Sequence, residues 1–241
     1  MAQAKIRLHV DHPLGVGQSV PLTEAQAHYL FGVMRQGAGS PLLVFNGREG
    51  EWRAEVTEAG KRKGSLTCLE QSGLQVMPPD LWLLFAPVKK ARTDFIVEKA
   101  VELGVARIIP VQTDFTNSER IRQDRLQAHA LEAAEQCGAT FVPEVYGLIA
   151  LTRLLTDWDV NRKILWADEN LVGAAVTLAN ESSGPWAILI GPEGGFSDAE
   201  RVRLRALPYV VPVSLGPRIL RADTAAAAAI TLWQAALGDW R

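Results

Sequence analysis

Two rhythms of hydrophobic and polar residues run along this chain, and they change over near residue 78. Before that point short stretches alternate. Ile6, Leu8 and Val10 share a face in Lys5–Val10; Trp52, Ala54 and Val56 do so in Glu51–Thr57; Ser65–Gln71 alternates again. Period-two alternation is the mark of a half-buried strand. Ser40–Phe45 is a short apolar run closed by the turn dipeptide Asn46-Gly47. Several short strands at this spacing, with a polar turn over Gly60–Gly64, predict a small barrel or sandwich. One helix, Leu22–Arg35, interrupts them, opened by Thr23 with Gln26 three residues on as a capping box.

The second rhythm follows Met77-Pro78-Pro79-Asp80, where two prolines stop regular structure and mark a linker. Leu81–Ala86 is continuously apolar, as in a strand buried on both faces. Arg92–Leu103 reads as a helix with Glu98 and Glu102 on its polar face and Gly104 as its stop. Ala106–Val111, Ile164–Trp166, Trp186–Ile190 and Tyr209–Val213 read as strands. Ser118–Cys137, Leu171–Ala179, Ser197–Leu207 and about Asp223–Leu237 read as helices; in Ser118–Cys137, Leu126, Ala130, Ala133, Ala134 and Cys137 form one stripe. Alternating strands and helices predict an α/β domain with a parallel sheet covered on both faces. Pro212 fits poorly inside a strand. The chain thus divides into residues 1–77 and 78–241.

Composition narrows the function classes. Of 241 residues, 48% are hydrophobic and 22% charged, which excludes a disordered chain. Lys and Arg total 25 against 27 Asp and Glu, a net charge of −2, which excludes a polycation coating nucleic acid by charge alone. Local basic clusters remain: Arg35, Arg48, Lys61–Lys63 and Lys89–Arg92. No run approaches the roughly 20 apolar residues of a membrane span, and Met1–Val10 lacks the apolar middle of a signal peptide. A cytoplasmic protein is expected. The four histidines and two cysteines show no metal-ligand spacing, so no metal is expected, and Cys68 and Cys137 read as small buried apolar residues.

Three segments carry chemistry. In Ile188-Leu-Ile-Gly-Pro-Glu-Gly-Gly-Phe-Ser-Asp-Ala-Glu200 a strand runs into a glycine loop and a helix capped by Ser197 and Glu200. It lacks the lysine of a nucleoside-triphosphate loop and the dinucleotide fingerprint. It is either a ligand loop or a tight strand-to-helix turn. Ser214-Leu-Gly-Pro-Arg-Ile-Leu-Arg-Ala-Asp-Thr-Ala225 repeats the logic, with Arg218 and Arg221 before a helix capped by Asp223 or Thr224. Paired arginines there suit an anion or a developing negative charge, or are solvated loop charges. Lys89, Lys90 and Arg92 form a basic entrance to the helix after the first buried strand.

Together these segments, with Phe95–Pro110, Glu132–Gly138 (E-A-A-E-Q-C-G) and His28–Gly47, resemble the RsmE family, the bacterial 16S ribosomal RNA uridine-N3 methyltransferases of the SPOUT superfamily. The resemblance covers nearly the whole chain in order, and L-I-G-P-E-G-G followed by S-L-G-x-R-I-L-R-x-D/E-T is its specific part. It implies a PUA-like RNA-binding β-barrel over 1–77. It implies a SPOUT trefoil-knot domain binding S-adenosylmethionine over 78–241, and a homodimer acting on 16S ribosomal RNA within the small subunit. Carried over, the cofactor-binding positions are Leu189, Ile190, Gly191, Gly195, Ser214, Leu215, Gly216, Ile219 and Leu220. RNA contacts fall on Arg35, Lys89, Lys90 and Arg92. Asp223, Ala139 and Pro217 depart from the family, which commonly has glutamate, arginine and a basic residue there.

The implied reaction sets demands. N3 of uridine carries a proton at neutral pH, so the enzyme must remove it and stabilise charge spreading onto the flanking carbonyls. Arg221 first and Arg218 second are the expected sources of that stabilisation. Glu193 is a candidate proton acceptor and Asp223 a candidate acceptor or helix cap. The base must leave its stack, and Phe196 either stacks on it or packs in the core. A non-catalytic RNA-binding module of the same fold, or a SPOUT enzyme acting on another RNA, stands as the alternative.

Overall fold

A computed structural model of the chain describes residues 6–117, 120–168, 171, 178 and 181–240. It divides into two compact units: residues up to Met77 together with Ala134–Val142, and the remainder from Pro78 on.

The first unit is a five-stranded sheet. Its strands are β1 (Arg7–His9), β2 (Ser19–Pro21), β3 (Pro41–Phe45), β4 (Glu51–Ala59) and β5 (Gly64–Gly73), in the order β1-β3-β4-β5-β2. β1 runs parallel to β3 and the other pairs are antiparallel. Leu8, Val20, Leu42, Val44, Ala54, Val56, Leu66 and Cys68 turn inward from alternate positions and form its core. The β4–β5 ladder shifts register three times, which curls the sheet toward a half-barrel.

The helix expected over Leu22–Arg35 is only partly α-helical. Thr23 and Gln26 do form the reciprocal capping box, but α1 is one turn (Glu24–Ala27) and His28–Val33 widens to a π-helix. Arg35 then adopts a left-handed φ of 54°, which ends the element. Arg7 closes the other part of this unit. Its guanidinium donates to the carbonyls of Ala134 at 2.7 Å and Ala139 at 3.0 Å and pairs with Glu51 at 2.6 Å. The end of the helix bearing Ala134 therefore counts with the N-terminal strands.

The second unit is built on parallel strands β6 (Leu81–Phe85), β7 (Arg107–Gln112), β8 (Glu144–Val145), β9 (Ile149–Ala150), β10 (Lys163–Ala167), β11 (Trp186–Ile190) and β12 (Val210–Val213). Their order is β12-β10-β11-β6-β7-β8, with β9 also on β7. The described helices are α2 (Lys90–Glu102), α3 (Gln123–Cys137), α4 (Leu151–Thr156), α5 (Asp198–Arg205) and α6 (Ala222–Leu237). β11 is buried at every residue because it lies between β10 and β6. Proline 212 is tolerated because β12 is an edge strand, paired only with β10.

Three expectations change. Cys137 is exposed, because it sits where α3 ends, whereas Cys68 is buried. The last helix takes Arg221 as its N-cap without a side-chain cap, so Asp223 and Thr224 lie inside its first turn. α4 was not foreseen. The helix expected from Ser118 begins only at Gln123, with Arg120–Arg122 outside it, and residues 118 and 119, like most of the helix expected over Leu171–Ala179, lie outside the described residues.

Candidate functional site

Three strands that are neighbours in the sheet, β12, β10 and β11, end side by side at Val213, Ala167 and Ile190. In parallel sheets ligands bind beyond the carboxyl ends of the strands. Here the loops leaving those ends enclose a cavity of about 190 Å³. Each loop is held by its own chemistry. After β11, Gly195 takes a φ of 70° and donates to the Pro192 carbonyl at 2.9 Å. Ser197 and Glu200 then form the reciprocal capping box of α5. Glu200 also accepts from the Asp114 backbone N–H at 3.0 Å, and the Ser197 hydroxyl donates to Asp114. After β12, the Ser214 hydroxyl both accepts from and donates to the backbone of Gly216.

Most of the expected positions converge on this cavity. Ile190, Gly191, Glu193, Gly195, Ser214, Leu215, Gly216, Arg218, Ile219 and Leu220 all line it. Ile219 is 86% exposed, which places it at the mouth. Two expected residues do not line it. Leu189 is fully buried in the core, in register between Trp166 and Leu84, where neighbouring strands flank its backbone on both sides. Arg221 is exposed at the head of α6. Just beyond it, the Asp223 carboxylate has one oxygen buried without a hydrogen-bond partner.

Glu193 on the cavity wall is ion-paired with Arg92 in the first turn of α2. One expected proton acceptor and one expected RNA contact are thus in direct contact. Lys89 and Lys90 are exposed beside them, while Arg35 belongs to the N-terminal unit.

Sequence reasoning missed Asp168. It lines the cavity yet is 1% exposed. Its carboxylate pairs with the buried Arg201 and with Arg205 at 2.9 Å, and its N–H donates to the Val213 carbonyl at 2.8 Å. An acid directly after a buried strand was the available signal. Phe196 is in the core, edge-on to Trp166 with centroids 5.7 Å apart. The exposed aromatic near the cavity is instead Phe115, whose Cβ lies 3.3 Å from where a side chain on Gly194 would begin. Its turn is held by Thr113 donating to the Thr116 hydroxyl at 2.9 Å and by the Asp114 contacts to Ser197 and Glu200.

Comparison with known proteins agrees with this arrangement. The family described as RNA methyltransferase domain matches residues 76–234, and the one described as RNA methyltransferase PUA domain matches residues 22–67. The ribosomal RNA small subunit methyltransferase E of Rickettsia conorii is 29% identical over 93% of both chains. That of Synechocystis is 32% identical over 88% of this chain and 71% of its own. The crystal structure of the same-named protein from Neisseria gonorrhoeae, bound to S-adenosyl methionine, superposes with a TM-score of 0.90 at 27% identity, covering 98% of this chain and 99% of that one. A Legionella pneumophila methyltransferase structure with the same bound cofactor gives 0.85 at 28% identity, covering 99% and 100%. The fold class is thus the SPOUT trefoil-knot domain with a parallel sheet, joined to a PUA-like strand unit. A chain matched over nearly its full length in both units, with its glycine loops gathered at one end of the sheet, belongs to the ribosomal RNA small subunit methyltransferase E family.

Proposed function

We propose that this protein methylates N3 of a uridine in 16S ribosomal RNA of the small subunit, using S-adenosylmethionine, in the cytoplasm and as a homodimer. The observation that carries the reading is the cavity beyond β10, β11 and β12. Its residues suit the cofactor. Ile190, Leu215, Leu220, Ala222 and Ala225 offer an apolar wall for a flat purine, and Asp168, Ser214 and the glycine backbones offer polar anchors. Close backbone approach is available because Gly191 and Gly216 carry no side chain. S-adenosylmethionine bound there supplies an electrophilic methyl group on a sulfonium.

The chain's own residues do the rest. Arg218, in the cavity wall, stabilises negative charge developing on the uracil carbonyls, and Arg221, three residues on, adds to the field at the mouth. This reverses the weight that sequence alone put on the two arginines. Glu193 takes the imide proton, and Arg92 fixes the orientation of its carboxylate. Phe115 takes the stacking role first considered for Phe196, since its ring is exposed beside Gly194. Lys89 and Lys90 meet RNA phosphates, and Arg35 does so from the N-terminal unit. For the homodimer the support is α6: one face packs on α2 and β11, while Leu232 is exposed on another.

Calorimetry with S-adenosylmethionine, followed by mass mapping of methylated uridines in ribosomal RNA from a strain lacking the protein, tests the reading. Binding and one missing methyl on a uridine are expected. No binding at millimolar cofactor refutes it. Arg218→Ala is expected to lose most turnover while retaining cofactor binding, with Arg221→Ala losing less. The opposite order restores Arg221 to the first role.

A further inference from the structure

A second concave site lies wholly within the first unit. α1 and the π-helix His28–Val33 form one side of it, and the tip of the β4–β5 hairpin forms the other. It measures about 710 Å³. Glu24, His28, Phe31 and Gly32 line the helical side, and Lys61 and Arg62 line the hairpin side. Glu24, His28 and Gly32 fall at four-residue steps, so they share the face turned to the hairpin. The groove opens where the helix widens, and π-helical turns are rare and concentrate at functional sites.

The two rings of the groove are set by glycines. A Cβ on Gly32 would lie 3.1 Å from Nδ1 of His28, so the imidazole rests against bare backbone. Gly32 does not take a left-handed φ, so the chain path does not require glycine there, and a glycine inside a helix costs about 1 kcal/mol relative to alanine. A Cβ on Gly64 would lie 2.5 Å from Cε2 of Phe31 and 2.8 Å from the Glu58 carbonyl oxygen, so the hairpin closes directly onto the Phe31 ring. His28 is exposed and Phe31 is half-buried. Charge lies beside the rings. Glu24 meets Arg62 at 3.5 Å, but both side chains are exposed, 70% and 85%, and such a pair opens at little cost. Lys61 projects from the same hairpin tip and is exposed. Residues 1–5, outside the described part of this unit, contain no Asp or Glu. Within the unit the lining thus sets two cations against one acid.

Cations give a phosphate its partner and ring faces give a base its platform. The two side by side in one groove match a nucleotide whose base has left its stack. An acidic peptide would use the cations and leave the rings idle. We propose that this groove captures a second unstacked nucleotide of the ribosomal RNA substrate, distinct from the uridine that is methylated, with its base on His28 and Phe31 and its phosphate on Lys61 and Arg62. The inference rests on the methyltransferase reading above for the identity of the RNA. It adds a base contact in the unit that otherwise supplies only Arg35.

The test titrates the full-length protein into a short fluorescein-labelled oligouridylate at pH 8, read by anisotropy across a salt series. Calorimetry with S-adenosylmethionine is run on the same proteins. His28→Ala, at an exposed position, should weaken RNA binding about fivefold or more and leave the log–log salt slope unchanged. Lys61→Gln should reduce that slope by about 0.7 for one lost phosphate contact. Cofactor affinity should not change in either. Glu24→Gln releases Arg62 and should tighten RNA binding several-fold, a gain that misfolding cannot produce. Glu70→Gln, about 20 Å along β5 from Gly64, should change nothing. Unaltered affinity in His28→Ala overturns the proposal, because the site then takes a bare anion. So does equal tightening in Glu24→Gln and Glu70→Gln, and so does a wild type that binds no oligouridylate at low salt. If the wild type binds RNA through these residues but never binds the cofactor, the methyltransferase reading fails and the groove stands. If the cofactor binds and no variant alters RNA binding, the groove alone fails.

Discussion

Gly191→Ala is the sharpest perturbation of the glycine-loop cavity, because one added methyl has a defined obstacle. A Cβ at that position would lie 2.6 Å from Cε2 of Phe196 and 3.1 Å from Cδ2 and Cζ. Carbon atoms prefer about 3.5–4.0 Å, so the ring must retreat by roughly 1 Å. It has little room, since Phe196 is 3% exposed and meets the edge of Trp166 in the core. Overpacking of this kind costs about 1–3 kcal/mol. For a chain of this size about 2 kcal/mol lowers Tm by roughly 4–8 °C. Gly191 also lines the cavity, so a shifted wall should weaken S-adenosylmethionine binding about tenfold, or ~1.4 kcal/mol. Scanning fluorimetry and calorimetry read the two effects. Phe196→Leu gives the methyl space, and the double variant should recover about 1 kcal/mol relative to additivity. If Gly191→Ala leaves both Tm and affinity unchanged, the ring yields freely and close packing is not why glycine stands there.

Two further outcomes follow from buried charge. Asp168→Asn leaves the guanidinium of Arg201 buried without its carboxylate, and urea unfolding should show a loss of about 3 kcal/mol; replacing both partners by apolar residues should recover most of it, and equal losses in single and double variants would contradict this account. His9 is held below its ordinary value of 6.5, chiefly by burial, with Asp11 opposing and Arg48 assisting. The folded state thus binds fewer protons than the unfolded one, so stability is full above about pH 6.5 and falls as the pH drops below that value toward the lowered pKa. His9→Gln should flatten this part of the pH–stability profile, and an unaltered profile would assign the dependence elsewhere.

Local rules made much of the architecture readable. The apolar run Leu81–Ala86 marked a strand buried on both faces, and β6 lies inside the sheet between β11 and β7. Thr23 with Gln26 and Ser197 with Glu200 were visible as capping boxes because both partners lie within one turn. The Leu22–Arg35 helix failed at His28, where the backbone widens into a π-helix that no periodicity distinguishes from an α-helix. The short β8, β9 and α4 carry too few residues to show a period.

The candidate site divides along the same line. Gly191, Glu193, Gly195, Ser214, Gly216 and Arg218 lie in two contiguous loops whose glycines and turn chemistry are local properties; these marked either a ligand loop or a tight turn, and the family resemblance supplied the cofactor and proton-acceptor roles. Asp168 offered only one local signal, an acid directly after a buried strand; its meaning comes from Arg201 and Arg205, 33 and 37 residues away along the chain. The sequence also did not show that Phe196 is buried while Phe115 is exposed, which depends on which ring the core of β10 and β11 takes in. The order of residues sets which turns, caps and strands can form, because those depend on neighbours a few positions apart. Which charges meet, which aromatic is buried and where the loops converge depend on contacts across tens of residues, and those exist only once the parallel strands are laid side by side.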